Sequence, residues 1–398
     1  MKIVMINSVT YGSTGKIMLQ IAETARDAGH ESFVCYPKGR HNPKVLENSI
    51  PIGGRFSEDF HLIMDRFTGL NGCFSIVATR RFIRKLKKIK PDVLHLHNLH
   101  NCYINFKQLF NYIKKENIRV VWTLHDCWAF TGHCPHFEIA GCQRWKTGCF
   151  ECPQYRAYPQ SFVDRSKLLY RCKKEWFTGV KNMTIVTPSQ WLADLAGQSF
   201  LKEYPIQVIH NGIDLNVFKP TESDFSKRYD CEKKTILLGV SFGWNDRKGL
   251  DIFIRLAKDL NEDYQIVLVG TDDNVDKRLP KNIISIHKTH NQQELAEIYS
   301  AADAVINPTR EDNYPTVNME AIACGTPVIT FKTGGSPESL SEEVGSVVEK
   351  DDYQALLTEI MALNGRFSSE ASFEKKRALF NKTTKFNEYV ELYEALNK

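Results

Sequence analysis

The chain has 398 residues, of which 42% are hydrophobic and 25% are charged, and its formal net charge is +5 at pH 7. This length and composition predict a globular protein of about two domains and argue against a disordered chain. The small positive charge does not by itself indicate nucleic-acid binding, so we expect no nucleic-acid partner. The sequence contains no run of about 18 apolar residues, so we expect no membrane-spanning helix.

The N-terminal residues Met1–Ile6 are apolar over only a short stretch. They lack the long apolar segment and the small-residue cleavage site of a signal peptide, so we expect a first β-strand there and a cytoplasmic protein. The 11 cysteines would then be thiols or metal ligands. Their odd number also argues against a complete set of disulfides.

Short apolar runs rich in Val, Ile and Leu recur along the chain and alternate with helical patterns. Such alternation indicates parallel sheets that are covered on both faces. Because the pattern occurs twice, we predict an α/β protein with two Rossmann-like, doubly wound domains facing a cleft. We place the first domain at residues 1–204, the second at 205–383, and a final helix at 384–398 for which we consider packing against the first domain. The predicted strands are Ile3–Ile6, Ser32–Cys35, Val93–Leu96, Val120–Leu124, Thr184–Val186, Gln207–Ile209, Ile236–Val240, Ile266–Val269, Ile283–Ile286, Ala304–Ile306, Pro327–Thr330 and Ser346–Val348.

A glycine-containing loop follows the first predicted strand. Residues 11–16 read YGSTGK and lead into an amphipathic helix that ends at Gly29. The start of such a helix, with Gly15 in the loop, offers backbone N–H groups to a phosphate. A tight strand-to-helix turn explains the same residues, and both interpretations stay open.

Two polar residues, His125 and Asp126, follow the predicted strand Val120–Leu124. They should emerge at the carboxyl edge of the first sheet, which is where doubly wound folds bind ligands. His125 could donate a hydrogen bond to a ligand hydroxyl or adjust the charge near a reacting carbon. A structural His–Asp pair is the alternative.

In the second domain, the segment from Gly243 to Gly249 follows a predicted strand and holds Arg247 and Lys248 where a helix begins. Cations at a helix N-terminus interact unfavourably with the helix dipole, so a compensating anion is expected beside them. A bound diphosphate would provide one, because Arg binds phosphate through two hydrogen bonds and Lys adds a point charge. A solvated pair of cations is the alternative.

The most informative segment, residues 308–327, reads as strand end, acidic loop, helix, glycine stop and next strand. Pro315 suits a first helical turn, and Gly325 suits the position after the helix C-cap. Asp312 lies in the loop, and Glu320 lies on the helix. A carboxylate on this helix can accept hydrogen bonds from both hydroxyls of a ribose. An ordinary acidic helix face is the alternative.

This segment resembles the E-x7-E region of the retaining glycosyltransferases of family 4, which have the two-domain GT-B architecture. Four other stretches resemble motifs of the same family, and they occur in the expected order. They are TPSQWL at 187–192, VIHNGID at 208–214, RKG at 247–249 and GGSPE at 334–338. The resemblance spans most of the chain, from Gly15 to Glu338.

The resemblance implies a role for each matching residue. Glu320 would hold the donor ribose, and Arg247 and Lys248 would hold the donor diphosphate. The loop that contains Gly15 would close over the diphosphate, and His125 would contact the transferred sugar. Backbone groups of the acidic loop would also hold that sugar, at Asn313, Tyr314 and Pro315.

Two positions depart from the family pattern. Counting back from Glu320 places Asp312 instead of a glutamate at the first acidic position, and the adjacent Glu311 is the alternative. The Arg that the family carries shortly before its Lys is missing, so Arg247 could take its role. The candidate catalytic residues are His125, Asp126 and Asp312.

The resemblance implies that a hexose-type sugar is transferred from a UDP- or GDP-sugar with retention of anomeric configuration. The acceptor would be a saccharide or a lipid-linked saccharide of bacterial surface polysaccharide biosynthesis. A front-face mechanism would need no catalytic metal. The alternatives are a sugar-nucleotide epimerase of the same architecture and a non-catalytic, zinc-containing protein that binds nucleotide sugars.

Residues 80–90 carry a run of cations interleaved with apolar residues at helical spacing. The spacing predicts a first-domain helix that packs on its sheet through one apolar stripe. Its cationic face could also contact the anionic inner surface of a membrane, which would make the protein peripheral there. The cations are Arg80, Arg81, Arg84, Lys85, Lys87, Lys88 and Lys90.

Four cysteines fall within a short segment that is rich in Gly, His and Pro. Such a loop is hard to order by burial alone, and a tetrahedral zinc site would close it, since a Cys-x2-Cys pair is a common half of one. The resemblance agrees, because a subset of the family carries a cysteine-rich loop, here residues 127–152, after an HD-x-W motif. Two disulfides or isolated thiols are the alternatives. The predicted ligands of a structural zinc ion are Cys134, Cys142, Cys149 and Cys152, with His133 and His136 as possible substitutes and Cys127 as a core thiol.

Overall fold

The computed structural model describes residues 1–39, 48–363, 365–367 and 369–398. The chain divides into two compact units, one formed by Met1–His210 with Thr383–Lys398 and the other by Asn211–Lys382. Among the helices that the structure describes, none combines the length and the apolar character that crossing a membrane requires.

The first unit is built on a parallel sheet of seven strands in the order β3-β2-β1-β4-β5-β6-β7. Its central strands are buried on both faces, which is why their sequences read as continuous apolar runs. The strands are β1 Lys2–Ile6, β2 Glu31–Pro37, β3 Ser49–Ile52, β4 Val93–Leu96, β5 Arg119–Thr123, β6 Met183–Thr187 and β7 Ile206–Val208.

Helices cover both faces of this first sheet. They are α1 Gly12–Asp27, α2 Arg55–Thr68, α3 Ile76–Ile89, α4 Phe106–Glu116, α5 Ser166–Phe177 and α6 Gln190–Gln198, with short 3-10 turns at Trp128–Phe130 and Arg144–Lys146. Alternate residues of β1 enter different cores, because successive side chains of a strand point to opposite faces. Ile3 and Met5 pack with α1, whereas Val4 and Ile6 pack with the cluster that contains Phe82.

The C-terminal helix, Lys382–Asn397, packs on the first sheet beside α1. Its apolar face supplies Phe386, Tyr389, Val390 and Tyr393 to the same core as Ile3. The hydroxyl of Tyr393 is hydrogen-bonded to Nδ1 of His95 at 2.6 Å.

The second unit contains a parallel sheet of six strands in the order β10-β9-β8-β11-β12-β13. Its strands are β8 Thr235–Val240, β9 Tyr264–Val269, β10 Ile283–Ile286, β11 Ala304–Asn307, β12 Val328–Lys332 and β13 Gly345–Glu349. Its helices are α7 Phe225–Arg228, α8 Leu250–Asp259, α9 Asp273–Asp276, α10 Gln292–Ala301, α11 Thr316–Ala323, α12 Tyr353–Met361 and α13 Glu370–Ala378. Two apolar clusters, one on each face, bury this sheet.

The prediction of two doubly wound α/β domains is confirmed, and each of the twelve predicted strands overlaps an observed one. The prediction missed β3, a four-residue strand whose sequence, SIPI, is too short to show a pattern. It also assigned residues 205–210 to the second domain, whereas β7 pairs with β6 and the division falls after His210.

In each sheet the strand order reverses beside the first strand of that unit. β1 lies between β2 and β4, and β8 lies between β9 and β11. Connections leave such a point on opposite faces, so the carboxyl ends of these strands border a crevice suited to a ligand. Gly15 follows β1, Lys248 follows β8 and Asp312 follows β11, whereas His125 and Asp126 follow β5, the strand beside β4.

Candidate active site

The donor-side residues of the second unit lie on loops that follow β8, β11 and β12. These strands are parallel neighbours, so the three loops leave the sheet at one edge. Arg247 and Lys248 lie in a 3-10 turn, Asp246–Lys248, that precedes α8. The side chain of Asn245 caps this turn by accepting a hydrogen bond from the N–H of Lys248 at 3.1 Å. The two cations therefore sit just before the helix, on a turn whose backbone is held in place.

Lys248 is paired with Asp312. Its Nζ lies 2.5 Å from Oδ2 of the carboxylate, and each side chain is 20% exposed. The other oxygen of Asp312 accepts a hydrogen bond from the N–H of Asn313 at 2.9 Å. Arg247 donates instead to the backbone carbonyl of Glu311, at 2.9 Å. The structure thus brings the predicted phosphate-binding pair together with the predicted first acidic position.

The remaining residues of the acidic loop are mostly buried. Glu311 is only 3% exposed and Asn313 is 9% exposed. Burial raises the pKa of Tyr314, and the nearby charge of Glu338 raises it further. Tyr314 is therefore a neutral group in the wall of the loop at pH 7.

Sequence reasoning missed Arg310, which ties the loop to the rest of the second unit. Its guanidinium binds Asp251 through two hydrogen bonds of 2.7 and 2.8 Å and Asp351 through one of 2.6 Å. These hydrogen bonds, with that of Asp251 the largest contribution, raise the pKa of Arg310. No sequence motif marks this role, because both partners lie far along the chain.

The loop after β12 supports Asp312 through its backbone. Gly334 has a φ of +54°, and a Cβ atom added there would lie 1.7 Å from the carbonyl oxygen of Asp312. The N–H of Gly335 donates to that same oxygen at 3.3 Å, and Thr333 donates to the carbonyl of Arg310 at 2.8 Å. A glycine is therefore required at position 334, because two backbones approach closely there.

Glu320 lies on α11, the helix that follows the acidic loop. The hydroxyl of Tyr299 donates a hydrogen bond to its Oε2 at 3.0 Å, and the residue is half-buried. Pro315 is the N-cap of this helix instead of part of its first turn, and Gly325 follows the C-cap with a φ of +85°. A carboxylate can accept several hydrogen bonds, so the bond from Tyr299 does not by itself prevent Glu320 from binding a ligand.

In the first unit, Gly15 lies in the first turn of α1. A Cβ atom there would lie 2.6 Å from the carbonyl carbon of Thr10, so the close approach of the preceding loop requires a glycine. Tyr11 at the N-cap makes no side-chain cap. The packing explains the glycine, and a phosphate-binding role for it stays a prediction.

A row of histidines runs from the carboxyl edge of the first sheet into its interior. Nε2 of His125 lies 3.0 Å from Nδ1 of His97, and the two rings are stacked at 5.3 Å. His97 in turn packs on His95, whose Nε2 is hydrogen-bonded to Thr123 at 2.8 Å. Burial lowers the pKa of His125 to about 4, so its imidazole is neutral at pH 7.

Asp126 has a different set of partners from His125. Its Oδ2 lies 3.1 Å from Nε2 of His100, and its Oδ1 accepts a hydrogen bond from the N–H of Trp128 at 2.9 Å. Burial opposes its charge, but His100 and this N–H lower the pKa of Asp126 to about 2. His100 also binds the hydroxyl of Tyr158 at 2.9 Å. The sequence HLHNLH at residues 95–100, which begins in β4 and continues past its end, is a local signal for these histidines.

The four predicted zinc ligands line a single cavity of about 10 Å³ in the segment after His125 and Asp126. These cysteines, which lie far apart along the segment, are therefore neighbours in the structure. Among the described residues, however, the one group that brings three ligand atoms within 4.8 Å of one another is the exposed set Asp273, Asp276 and His287.

The sequence matches two family profiles of known proteins, one in each half of the chain. The family profile described as Glycosyltransferase Family 4 matches residues 14–217, more than half of the chain, and that of Glycosyl transferases group 1 matches residues 233–364. The chain belongs to glycosyltransferase family 4. The resemblance inferred from the motifs is thereby confirmed at the level of the family, and the protein is a glycosyltransferase.

A relative of this family 4 glycosyltransferase is WcaC of Escherichia coli (strain K12), which is named as a colanic acid biosynthesis glycosyl transferase. It is 28% identical over 319 residues, which are 77% of each chain.

Two solved structures share the fold. Sucrose-phosphate synthase from Thermosynechococcus elongatus has a TM-score of 0.72 at 18% identity, covering 99% of this chain and 98% of that one. HepE of Anabaena, solved in complex with UDP, has a TM-score of 0.68 at 15% identity, covering 99% of this chain and 100% of that one. These similarities confirm the glycosyltransferase fold that the motifs predicted.

Proposed function

We propose that this glycosyltransferase moves a hexose from a UDP- or GDP-sugar to a lipid-linked saccharide with retention of anomeric configuration. The observation that carries the proposal is the pairing of Lys248 with Asp312 beside the helix that bears Glu320. The cation suits the diphosphate of a nucleoside diphosphate, and the carboxylate on the next helix suits its ribose. The solved complexes of HepE with UDP and with UDP-glucose support a nucleotide sugar as donor.

The transfer is a single exchange at the anomeric carbon. The acceptor oxygen bonds to that carbon on the face from which the diphosphate departs. The bond from that carbon to the diphosphate oxygen breaks with its electron pair, and the acceptor proton passes to the leaving diphosphate. In this proposal Arg247 and Lys248 stabilise the leaving charge, and a neutral His125 donates a hydrogen bond to the transferred sugar. The step assigns no role to a catalytic metal ion.

The lipid-linked acceptor is supported by an exposed apolar surface on α2. Phe56, Phe60, Ile63 and Phe67 recur at helical spacing and are between 50% and 87% exposed. The opposite face of the same helix buries His61 and Asp65. Exposed apolar surface of this kind on a helix marks a site that contacts another apolar phase. We call these four residues the α2 apolar stripe.

Positive charge accompanies the α2 apolar stripe on the next helix. All seven cations of residues 80–90, six in α3 and Lys90 at its C-cap, are exposed, while Phe82 and Leu86 are buried, as the predicted apolar stripe requires. α2 and α3 are joined through a hydrogen bond of 2.7 Å between His61 and Ser75. Apolar and cationic side chains together favour an anionic lipid surface as the binding partner.

A groove for the saccharide part of the acceptor lies on another side of α2. It has a volume of about 480 Å³, within the size range of small-molecule sites. Asp65 and Arg66 of α2 line it opposite Asn101 and Tyr158. These polar groups can hydrogen-bond sugar hydroxyls, and Tyr158 also contacts His100, the partner of Asp126.

The reaction itself is tested by incubating the protein with UDP- and GDP-hexoses, with and without a lipid-linked saccharide, and analysing the products by NMR. The proposal predicts release of nucleoside diphosphate that depends on the acceptor, and a product with the donor's anomeric configuration. Transfer should persist in EDTA. Conversion of the nucleotide sugar without acceptor would instead identify an epimerase, and tight binding without any turnover would identify a non-catalytic protein.

Membrane binding is tested by co-sedimentation with vesicles containing anionic or only zwitterionic lipid. We expect preferential binding to anionic vesicles, and a loss of at least tenfold in the double variant Phe56→Ser, Phe67→Ser. Met361→Ser is the matched control, because Met361 is 66% exposed, like Phe67 at 65%, but lies in the second unit. Equal binding by all three proteins would contradict a docking role for α2.

A further inference from the structure

A long segment of the first unit has almost no regular secondary structure. Residues 124–165, between β5 and α5, contain only two short 3-10 turns. Loops longer than about 12–15 residues without secondary structure are uncommon in compact domains and need a source of order. Within this segment Cys134, Cys142, Cys149 and Cys152 line one cavity. Its volume of about 10 Å³ is that of a single small ion or water molecule.

The cysteine sulfurs accept hydrogen bonds from the backbone. The N–H of Gly132 donates to Sγ of Cys149 at 3.1 Å, and the N–H of Gln154 donates to the sulfur of Cys152. Cys134 is also hydrogen-bonded to Cys152. Hydrogen bonds to a charged acceptor are stronger than those to a neutral one, so backbone donors around sulfur favour thiolates.

A buried lysine lies near the same cysteines. Lys173 of α5 has no exposed surface; its Nζ donates to the carbonyl of Trp128 at 2.8 Å and lies 3.4 Å from the centre of that indole ring. A buried charge is costly unless opposite charge is near it. The acidic groups that act on it include Asp126 and Asp65, together with the thiols of Cys149 and Cys134.

Both of those carboxylates are engaged elsewhere. Asp126 binds His100 and the backbone of Trp128, and Asp65 accepts hydrogen bonds from Asn71 and Cys102. Four thiolates around one divalent cation carry a net charge of −2. That charge would compensate a buried ammonium.

We propose that Cys134, Cys142, Cys149 and Cys152 bind one structural zinc ion as thiolates and that Lys173 balances the charge of this site. On binding, each thiol releases its proton to solvent and the ion exchanges its waters for sulfur. The sulfurs would have to draw together, because a Zn–S distance of about 2.3 Å places tetrahedral ligands roughly 3.8 Å apart. Four protein ligands leave no open position, so the ion would order the loop and not act on substrate.

A zinc ion at these cysteines would also affect the carboxyl edge of the first sheet, where Asp126 lies. Lys173 holds the carbonyl of Trp128, and the N–H of Trp128 holds Asp126. A zinc site that fixes Lys173 would therefore also fix the residue next to His125. The inference does not depend on which sugar or acceptor the enzyme uses, and its test needs no activity assay.

The first test is metal analysis of the full chain, purified without a metal-affinity tag. We expect about one zinc per chain, released as a mercurial reagent forms mercury–sulfur bonds with the four cysteine thiolates that hold the ion. Cys149→Ser and Cys142→Ser should each lose the metal. Cys172→Ser is the matched control, because Cys172 is half-buried against the same core but does not line the cavity.

The role of Lys173 is tested by competition with a zinc chelator. Lys173→Met should weaken zinc binding at least tenfold, whereas the control Lys174→Met, an exposed neighbour on α5, should not. Unchanged affinity in Lys173→Met would overturn the charge-balancing role. Wild-type protein with less than a tenth of a zinc per chain, or with disulfides among these four cysteines in a non-reduced digest, would overturn the site itself. Neither of these wild-type measurements depends on a variant that folds.

Discussion

At the scale of single residues, the charged groups of the candidate site are held by partners inside their own unit. Lys248 forms an ion pair with Asp312, Asp126 is hydrogen-bonded to His100, and Glu320 accepts a hydrogen bond from Tyr299. Groups held in this way lose little conformational freedom when a ligand binds, which makes each contact more effective. Their contributions can be separated by substitution.

Lys248→Ala should weaken binding of UDP or GDP much more than binding of the nucleoside alone. Loss of a hydrogen bond to a charged group costs roughly 1.5–3 kcal/mol, or about 10- to 150-fold in affinity. Isothermal titration with diphosphate and nucleoside measures both. Lys258→Ala, an exposed lysine at the far end of α8, is the control and should bind like wild type. Equal losses for the two ligands would show that Lys248 does not contact phosphate.

Glu320→Gln should raise the donor KM and lower kcat, because the variant keeps the size of the side chain but loses a charged acceptor for the ribose hydroxyls. The expected loss in kcat/KM is again about 10- to 150-fold. Steady-state kinetics provide the measurement, and a thermal melt checks folding. Glu262→Gln, an exposed glutamate before β9, should be unaffected. Wild-type kinetics in Glu320→Gln would remove this residue from the donor site.

At the scale of elements, the acidic loop after β11 depends on the loop after β12. Gly334 and Gly335 touch the carbonyl of Asp312 with their backbones, so the position of the carboxylate that pairs with Lys248 is set by a neighbouring loop. Gly325, at the end of α11, shares the positive φ of Gly334, but a Cβ atom added there would meet only Pro220, at 3.6 Å. The two glycines form a matched pair.

Gly334→Ala should therefore weaken donor binding, whereas Gly325→Ala should not. Both substitutions place a side chain at positive φ, which costs roughly 1–2 kcal/mol of stability. Only Gly334→Ala also displaces Asp312, because the added Cβ atom would lie 1.7 Å from the carbonyl oxygen of Asp312. The donor KM and the midpoint of urea unfolding should be measured for both variants. A donor KM that rises equally in the two would contradict the supporting role of the loop after β12.

At the scale of the whole molecule, the first unit carries several buried histidines and should be acid-sensitive. Burial lowers the pKa of His95 to about 3, of His97 well below its usual 6.5, and of His125 to about 4. The unfolded chain restores values near 6.5. Below that pH the unfolded state binds more protons than the folded one, so stability falls with falling pH between about 6.5 and 4. Each histidine contributes up to about 1.4 kcal/mol per pH unit.

Urea unfolding followed by tryptophan fluorescence at pH 7.5, 6.5 and 5.5 measures this effect. The signal reports mainly on the first unit, which holds five of the six tryptophans, namely Trp122, Trp128, Trp145, Trp176 and Trp191. We expect little change between the two higher pH values and a lower midpoint at pH 5.5. His97→Gln should reduce the pH dependence, and His290→Gln, exposed in the second unit, should not. A midpoint that is constant down to pH 5.5 would contradict neutral burial of the histidine row.

The motifs of the sequence singled out Lys248, Asp312 and Glu320 as candidates, because these residues lie in contiguous segments next to strands whose apolar runs are easily read. They did not locate Arg310 or the histidines behind His125. The partners of these residues come from strands and helices far along the chain, and only the order of the strands brings them together. The α2 apolar stripe was also missed, because an apolar helical pattern predicts burial unless the surrounding structure shows which face is covered.

The sequence by itself therefore determined the fold class and the family, because strand and helix patterns depend on neighbouring residues and the motifs are contiguous. The tertiary structure decided which charged groups are paired. It gathered Cys134 and Cys152 at one cavity, buried Lys173 beside them, and placed the carbonyl of Asp312 against Gly334. These outcomes depend on how distant segments pack, since a side chain's charge and accessibility are set by the neighbours that the fold supplies.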